Sequence, residues 1–172
     1  VTLVLTLNQL VLSQELGAVG DQRERMNGSM QFRADVADAV DTPVSPAEPS
    51  AFLRSLVRGT TERAENTQNA VDETALDDDL TALLSNYLED VRTNADSVTD
   101  QLEGGTFGEF DVVKAALNYN YSWKLYAGRR IREAYADELT DEIDDSLAEL
   151  VETLELFGPA REHFKTLYFQ WE

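Results

Sequence analysis

Apolar residues recur at spacings of three and four along most of this chain, and this periodicity limits the folds that the chain can adopt. From Ser50 the apolar side chains that share one helix face are Phe52, Leu53, Leu56, Val57, Ala64 and Val71. A second stretch repeats the pattern with Leu76, Leu80, Leu83, Leu84, Tyr87, Leu88, Val91, Ala95, Val98 and Leu102. A third has Ile143, Leu147, Leu150, Val151, Leu154 and Phe157. Alternation at period two is absent over any useful length, so the sequence predicts an all-α protein.

Turn and cap residues separate these helical stretches. The segment "TPVSPAEPS" contains three prolines, which end the preceding helix, and Ser50 is placed to cap the next one. Thr74 and Thr140 are placed to cap the helices that follow them. Gly158-Pro159 should interrupt or kink the last helix before it resumes.

The remaining stretches complete an antiparallel bundle of four long helices plus an N-terminal helix. Residues 111–139 read as one long helix, and residues from about 18 to 41 have weaker helical spacing. We expect a single domain over 1–172, with an apolar edge segment at 1–16 and the helical bundle at 17–172. The predicted core includes Leu53, Leu56, Leu80, Leu84, Leu88, Leu117, Ile131, Leu147 and Leu154.

The charge of the chain narrows its possible partners. It contains 33 acidic and 14 basic residues, a net charge of −19 that repels phosphate backbones, so we expect no nucleic-acid partner. Only Lys114, Lys124 and Lys165 are lysines, and the other basic residues are arginines. This composition is typical of proteins adapted to molar salt, where screening falls to about 3 Å, and it indicates a halophilic archaeon. The alternative is an acidic domain from a mesophile.

Residues that would support catalysis or a cofactor are scarce. The chain has no cysteine, which excludes disulfides and thiolate metal ligands. Its one histidine, His163, has Ala160 three positions before it, so the Glu-x-x-His pairs of di-metal bundles are absent. The glycines of "GGTFGEF" follow a predicted helix and lack the Lys-Ser/Thr of a phosphate loop. We therefore predict no catalytic residue, no metal and no cofactor, and enzymatic activity is not favoured.

Polar residues interrupt one apolar stripe, and they form the candidate ligand site. On a single helix the shared stripe would contain Val113, Leu117, Asn120, Lys124, Ala127 and Ile131. In the functional interpretation, Asn120, Tyr121, Lys124 and Arg129 bind an anion or a small metabolite inside the bundle. In the structural interpretation, Asn120 fixes helix register, Lys124 extends to the edge, and Tyr119, Trp123 and Tyr126 are packing aromatics.

Both ends of the sequence are apolar or aromatic. The chain opens "VTLVLTLNQLVL" and closes "HFKTLYFQWE", and aromatic residues are enriched where helices approach a membrane interface. The segments "LTLNQLVLSQELGAVGDQRERM" and "NYSWKLY…FGPAREHFKTLYFQWE" resemble the soluble segment of a haloarchaeal family of integral membrane proteins of unknown function. The resemblance implies membrane spans on both sides of this segment, and it brings no catalytic residues.

These observations lead to two expectations about function. The first is a membrane-tethered helical interaction, scaffold or signal-transmitting domain, with a protein partner or a second copy of itself. Basic residues are enriched on the cytoplasmic side of membrane spans. Here they follow the first apolar segment (Arg23, Arg25 and Arg33) and precede the last one (Arg161 and Lys165), which favours the cytoplasmic side of the cell membrane. The second is a small-ligand sensor with a polar pocket in the bundle. A secreted or cytoplasmic helical protein without any membrane tether is the alternative context.

Overall fold

Five helices form the structure, a computed structural model that describes residues 2–46, 48–103, 114 and 118–162. They are α1 (Thr2–Ala39), α2 (Pro49–Glu73), α3 (Asp78–Glu103), α4 (Tyr121–Ala134) and α5 (Asp141–Glu155). Within these ranges no residue is in a β-strand. The prediction of an all-α protein is confirmed.

The described residues divide into two units between Asp35 and Val36. The first unit is a single stretch of helix, the part of α1 that ends at Asp35. The second unit begins with the last turn of α1 and contains α2 to α5.

In the second unit α2 to α5 pack as a ring of four helices. α2 lies along both α3 and α5, and α4 contacts both α5 and α3. The loops at 74–77 and 135–140 are too short to let the helices that they join run parallel, so α3 folds back on α2 and α5 folds back on α4. This arrangement confirms the predicted four-helix bundle preceded by an N-terminal helix.

Most residues whose spacing predicted burial are in the core of the bundle, whereas Leu83 of the predicted α3 face is exposed. Leu53, Leu56, Leu80, Leu84, Leu88, Ile131, Leu147 and Leu154 are all buried. Leu117 lies outside the described residues. Burial of each such side chain stabilises the fold by about 1.5–3 kcal/mol, so the aliphatic stripes are the main source of stability.

The end of α1 is fixed by a turn and by an arginine of α2. Asp41 has a φ of 48°, in the left-handed region, and the Thr42 amide donates to the Ala37 carbonyl over 2.9 Å. Arg63 donates to the Ala39 carbonyl over 3.2 Å and pairs with Glu149 of α5 at 2.8 Å. The guanidinium therefore joins the C-terminus of α1 to α2 and α5.

One of the three predicted helix caps is confirmed, and two belong to other residues. The Thr140 hydroxyl accepts from the Ile143 amide at the start of α5, as expected. The carboxylate of Glu48, rather than Ser50, caps α2 by accepting from the Ser50 and Ala51 amides. Thr74 is at the C-terminal end of α2, and the Asp77 side chain accepts from the Asp79 amide at the start of α3. At the start of both α2 and α3 a carboxylate lies close to the helix N-terminus, where the helix dipole favours a negative charge.

The long helix predicted over 111–139 is not continuous. Asn118 is helical, Tyr119 and Asn120 are not, and α4 starts at Tyr121. The Tyr119 side chain is buried against Phe157 at the point where the backbone departs from the helical conformation. The predicted interruption near Gly158-Pro159 is present at Leu156, after which residues 157–162 are helical again.

Candidate functional site

Lys124 of α4 is the buried member of the predicted ligand site. Its side chain is 3% exposed, and its Nζ lies 2.9 Å from Oδ2 of Asp90, whose side chain is 60% exposed. The aliphatic stem of Lys124 is therefore inside the bundle, while its charge meets a carboxylate at the edge. The ammonium also lies 6.0 Å from the centroid of the Tyr119 ring.

Two buried tyrosines accompany this ion pair. The Tyr87 hydroxyl donates to the Lys124 carbonyl over 3.0 Å, which joins α3 to α4. Burial raises the pKa of Tyr87 well above its usual value, and the nearby Asp90 charge adds to that shift. Burial also raises the pKa of Tyr119. Both phenols remain neutral at physiological pH and act as fixed dipoles.

Asn120 and Tyr121 lie at the start of α4 rather than in the middle of a core stripe. Asn120 is exposed, and its amide donates to the Asn94 side chain over 3.3 Å. Tyr121 is half-buried, with its ring stacked at 6.2 Å on Phe157. The expectation that Asn120 falls among core positions is wrong because the helix begins after it. Val113 and Leu117 of the same predicted stripe lie outside the described residues.

Arg129 is exposed and pairs with Glu155 of α5 over 2.6 Å. It lines a shallow depression of about 370 Å³, where Arg132 makes two hydrogen bonds to Asp144 at 2.7 and 2.8 Å. The hydrogen bonds from Arg132 hold the pKa of Asp144 below its ordinary value. Glu133 and Asp141 also line this depression, so its carboxylates outnumber its two guanidiniums. The excess of negative charge makes the depression unsuited to binding an anion.

Of the four predicted ligand residues, only Arg129 lines the depression beside Arg132. A groove of about 630 Å³ lies nearby between α3 and α4, and none of the four lines it. Its lining residues are Leu83, Asn86, Tyr87, Asp90, Trp123, Tyr126, Ala127, Arg130, Ile131, Ala134 and Tyr135. Most of these side chains are apolar or aromatic, so the groove is suited to apolar side chains of another molecule.

Two aromatic residues give the groove its open face. Trp123 is 57% exposed and Tyr126 is 55% exposed, and their ring centroids are 5.6 Å apart. The interpretation of these two rings as interior packing residues is wrong, whereas Tyr119 is buried as that interpretation requires. Both residues are neighbours of the predicted core stripe, next to Lys124 and Ala127, rather than members of it, and this is the sequence signal that could have identified them.

The described residues show neither a metal site nor a membrane span. Among them, no group of three histidine, aspartate or glutamate side chains is close enough to hold a metal ion. No helix in the described part of the chain has both the length and the apolar character needed to cross a membrane. His163 lies outside that part.

Comparison with known proteins gives a family without a function. A search of curated proteins found no match to this chain, and a search of solved structures found none either. One family model, described as a family of unknown function (DUF7972), matches residues 1–172. This match spans the helices, the α3–α4 groove and the ion pair together, and the chain therefore belongs to the DUF7972 family of unknown function.

Proposed function

We propose that this chain is a helical interaction domain that binds an amphipathic helix of a protein partner in the groove between α3 and α4. As a scaffold or signal-transmitting module, it would be tethered to the cell membrane of a halophilic archaeon, on the cytoplasmic side. The observation that carries the proposal is the exposed pair Trp123 and Tyr126 on an otherwise acidic bundle. Exposed tryptophan and tyrosine next to an apolar groove are typical of the residues that dominate binding energy at protein interfaces.

Charge favours a basic partner for this surface. Residues 36–172 contain 29 of the 33 acidic residues and 11 of the 14 basic ones, a formal charge of −18. A helix with a net positive charge would be attracted, whereas an acidic helix would be repelled. In molar salt only pairs in direct contact keep much of this attraction, so the apolar contacts in the groove would supply most of the affinity.

Three sequence features support the membrane and the halophilic context. Val and Leu occupy most of the first twelve positions, and Tyr168, Phe169 and Trp171 cluster near the other end of the sequence. The arginines that follow the first segment support the cytoplasmic side. The excess of carboxylates and the scarcity of lysine support adaptation to molar salt.

Peptide binding monitored by fluorescence tests the interaction. In a Trp171→Phe background, Trp123 is the single tryptophan, and its emission reports on the groove directly. Titration with an amphipathic helical peptide of leucine and lysine, in molar KCl, should change that emission until the groove is saturated.

The Trp123→Ala variant tests the same groove by calorimetry. Its affinity for the peptide should be about tenfold weaker or more, which is about 1.4 kcal/mol. Val44→Ala is the matched control because Val44 is 78% exposed and does not line the groove. Equal affinity for the two variants, or no saturable binding, would exclude the groove.

Site-specific labelling tests the topology. These 172 residues contain no cysteine, and Asp78→Cys, at an exposed position in the first turn of α3, introduces one; the gene product without this substitution is the control for labelling elsewhere. In cells that make the full-length gene product, an impermeant thiol reagent should label it only after lysis. Labelling of intact cells would place the domain outside. A gene product that stays in the soluble fraction would remove the membrane tether from the proposal.

The second candidate function is a sensor of an anion or metabolite, and the buried Lys124 is the observation that favours it. Asp90 already neutralises this ammonium, and Arg129 is paired with Glu155, which weakens the case. Citrate and inorganic phosphate, titrated in molar KCl, would raise the melting temperature in a saturable way if the sensor function is correct. An unchanged melting temperature supports the interaction domain.

A further inference from the structure

The stretch of α1 that ends at Asp35 is a helical unit by itself. At 1.5 Å per residue it is about 50 Å long. Most of the stability of such a helix in water comes from packing of one face against a neighbour. Between Gly20 and Gln31 every side chain is exposed except the half-buried Ser29, and Met26 and Met30 are 65% and 63% exposed. Two large apolar side chains are thus open to solvent on the same helix.

The spacing of residues along this helix is that of a coiled-coil seam. Alternating steps of four and three connect Leu12, Leu16, Val19, Arg23, Met26, Met30 and Arg33. Five of these seven residues are apolar, and the alternation continues over three heptads. Such a 3–4 repeat keeps one narrow stripe facing a partner helix over its whole length. Among the members of the stripe whose exposure is described, Arg23, Met26 and Met30 are exposed and Arg33 is half-buried.

The charge distribution favours a second copy of this chain as the partner. Residues 1–35 contain four acidic and three basic residues, a formal charge of −1, against −18 for residues 36–172. Two copies that meet through their bundles would bring large like charges together, whereas two α1 segments would not. The positions next to the seam are Ser13, Gly20 and Asn27 on one side and Glu15, Gln22 and Ser29 on the other. Only one of these six is charged, so the flanks add little repulsion.

We infer that residues 12–33 of α1 pair with the same segment of a second copy in a coiled coil, which makes the protein a dimer. Met26 and Met30 fill the interface, and Arg23 is the polar residue within an otherwise apolar part of the seam. A polar residue at a seam position lowers stability while it restricts register and the number of chains. The inference does not depend on the α3–α4 groove or on a membrane tether.

Sedimentation equilibrium of the 172-residue chain in molar KCl tests this inference. The wild-type chain should be a dimer that dissociates on dilution, and Met26→Glu/Met30→Glu should be a monomer at every concentration. The matched control, Gln14→Glu/Gln31→Glu, adds the same two charges at positions off the seam and should remain a dimer. Circular dichroism melting of the bundle confirms that each variant is folded. A monomeric wild type, or a dimer that both double variants preserve, would overturn the proposal.

Arg23 provides a test in the opposite direction, which misfolding cannot imitate. Arg23→Leu should strengthen dimerisation by about tenfold or more because it replaces a charge in the seam with an apolar residue. Arg25→Leu makes the same change two positions away, off the seam, and should leave the dissociation constant unchanged. Equal effects of the two substitutions would show that the seam is assigned incorrectly.

Discussion

The Nζ atom of Lys124 and the Oδ2 atom of Asp90 are 2.9 Å apart, and they join a buried helix position to an exposed one. The Lys124 side chain is 3% exposed and that of Asp90 is 60% exposed. A charge inside the bundle is therefore balanced only at its edge. Loss of one partner has a different consequence from loss of the other.

Asp90→Ala should destabilise the bundle more than Lys124→Met does. The first change leaves a buried ammonium without its partner, at a cost of about 1–3 kcal/mol. The second removes the buried charge and keeps an apolar chain of similar length, which is often neutral or stabilising. Urea unfolding in molar KCl measures both free energies. A larger loss for Lys124→Met would show that the ion pair itself stabilises the fold.

Gly128→Ala should destabilise the protein, although alanine is the better helix former. A Cβ at this position would lie 2.6 Å from the Tyr87 hydroxyl oxygen and 2.9 Å from a methyl carbon of Val151. The resulting displacement of α4 from α3 and α5 should cost about 1–3 kcal/mol. Gly20→Ala is the control because nothing lies within 4 Å of the added Cβ, and it should stabilise α1 by about 0.5–1 kcal/mol. Thermal unfolding of both variants makes the comparison, and equal shifts would contradict the close packing at Gly128.

High pH should destabilise the fold through Tyr87 and Tyr119. Burial raises the pKa of both phenols in the folded state, whereas in the unfolded chain their pKa is about 10. The stability that they provide is complete below pH 10 and decreases as the pH rises above it, because the unfolded state releases protons first. The melting temperature of the wild type should therefore fall steeply above about pH 10.

The double variant Tyr87→Phe/Tyr119→Phe should show a shallower fall in melting temperature over that pH range. Tyr126→Phe, which changes an exposed ring, should keep the wild-type pH profile. Identical slopes for the wild type and the double variant would show that other groups cause the alkaline unfolding.

Truncation of a core leucine should be costly in either of two helices. Leu84 of α3 and Leu147 of α5 are fully buried, so Leu84→Ala and Leu147→Ala should each cost about 2–5 kcal/mol. Leu83→Ala, at the neighbouring position that is 38% exposed, should cost clearly less. Denaturant unfolding measures the three values. Similar losses for Leu83 and Leu84 would contradict the orientation of α3.

Low salt should weaken the fold. The net charge of −19 repels itself more strongly as the screening length grows from about 3 Å in molar salt to about 10 Å at 0.1 M. Circular dichroism melting across this range should give a melting temperature that falls with the salt concentration. A constant melting temperature would remove the support for a halophilic origin.

The sequence by itself determined the helical class and the faces on which most of the described core residues lie. These follow from local periodicity, because each helix needs one apolar face, and the buried Leu53, Leu84 and Leu147 are on the predicted faces. The Thr140 cap is equally local, since its hydroxyl acts within the next turn.

Only the tertiary structure decided the helix break before α4, the pairing of its buried lysine and the exposure of its aromatic residues. The break before Tyr121 depends on Tyr119 packing against Phe157, which lies 38 positions later in the chain. The pairing of Lys124 depends on Asp90 of another helix. Trp123 and Tyr126 are exposed and line a groove between α3 and α4, and no periodicity within α4 specifies how far apart the two helices lie. Local sequence fixes which face of a helix is apolar, whereas the positions of two neighbours decide how much of that face they cover.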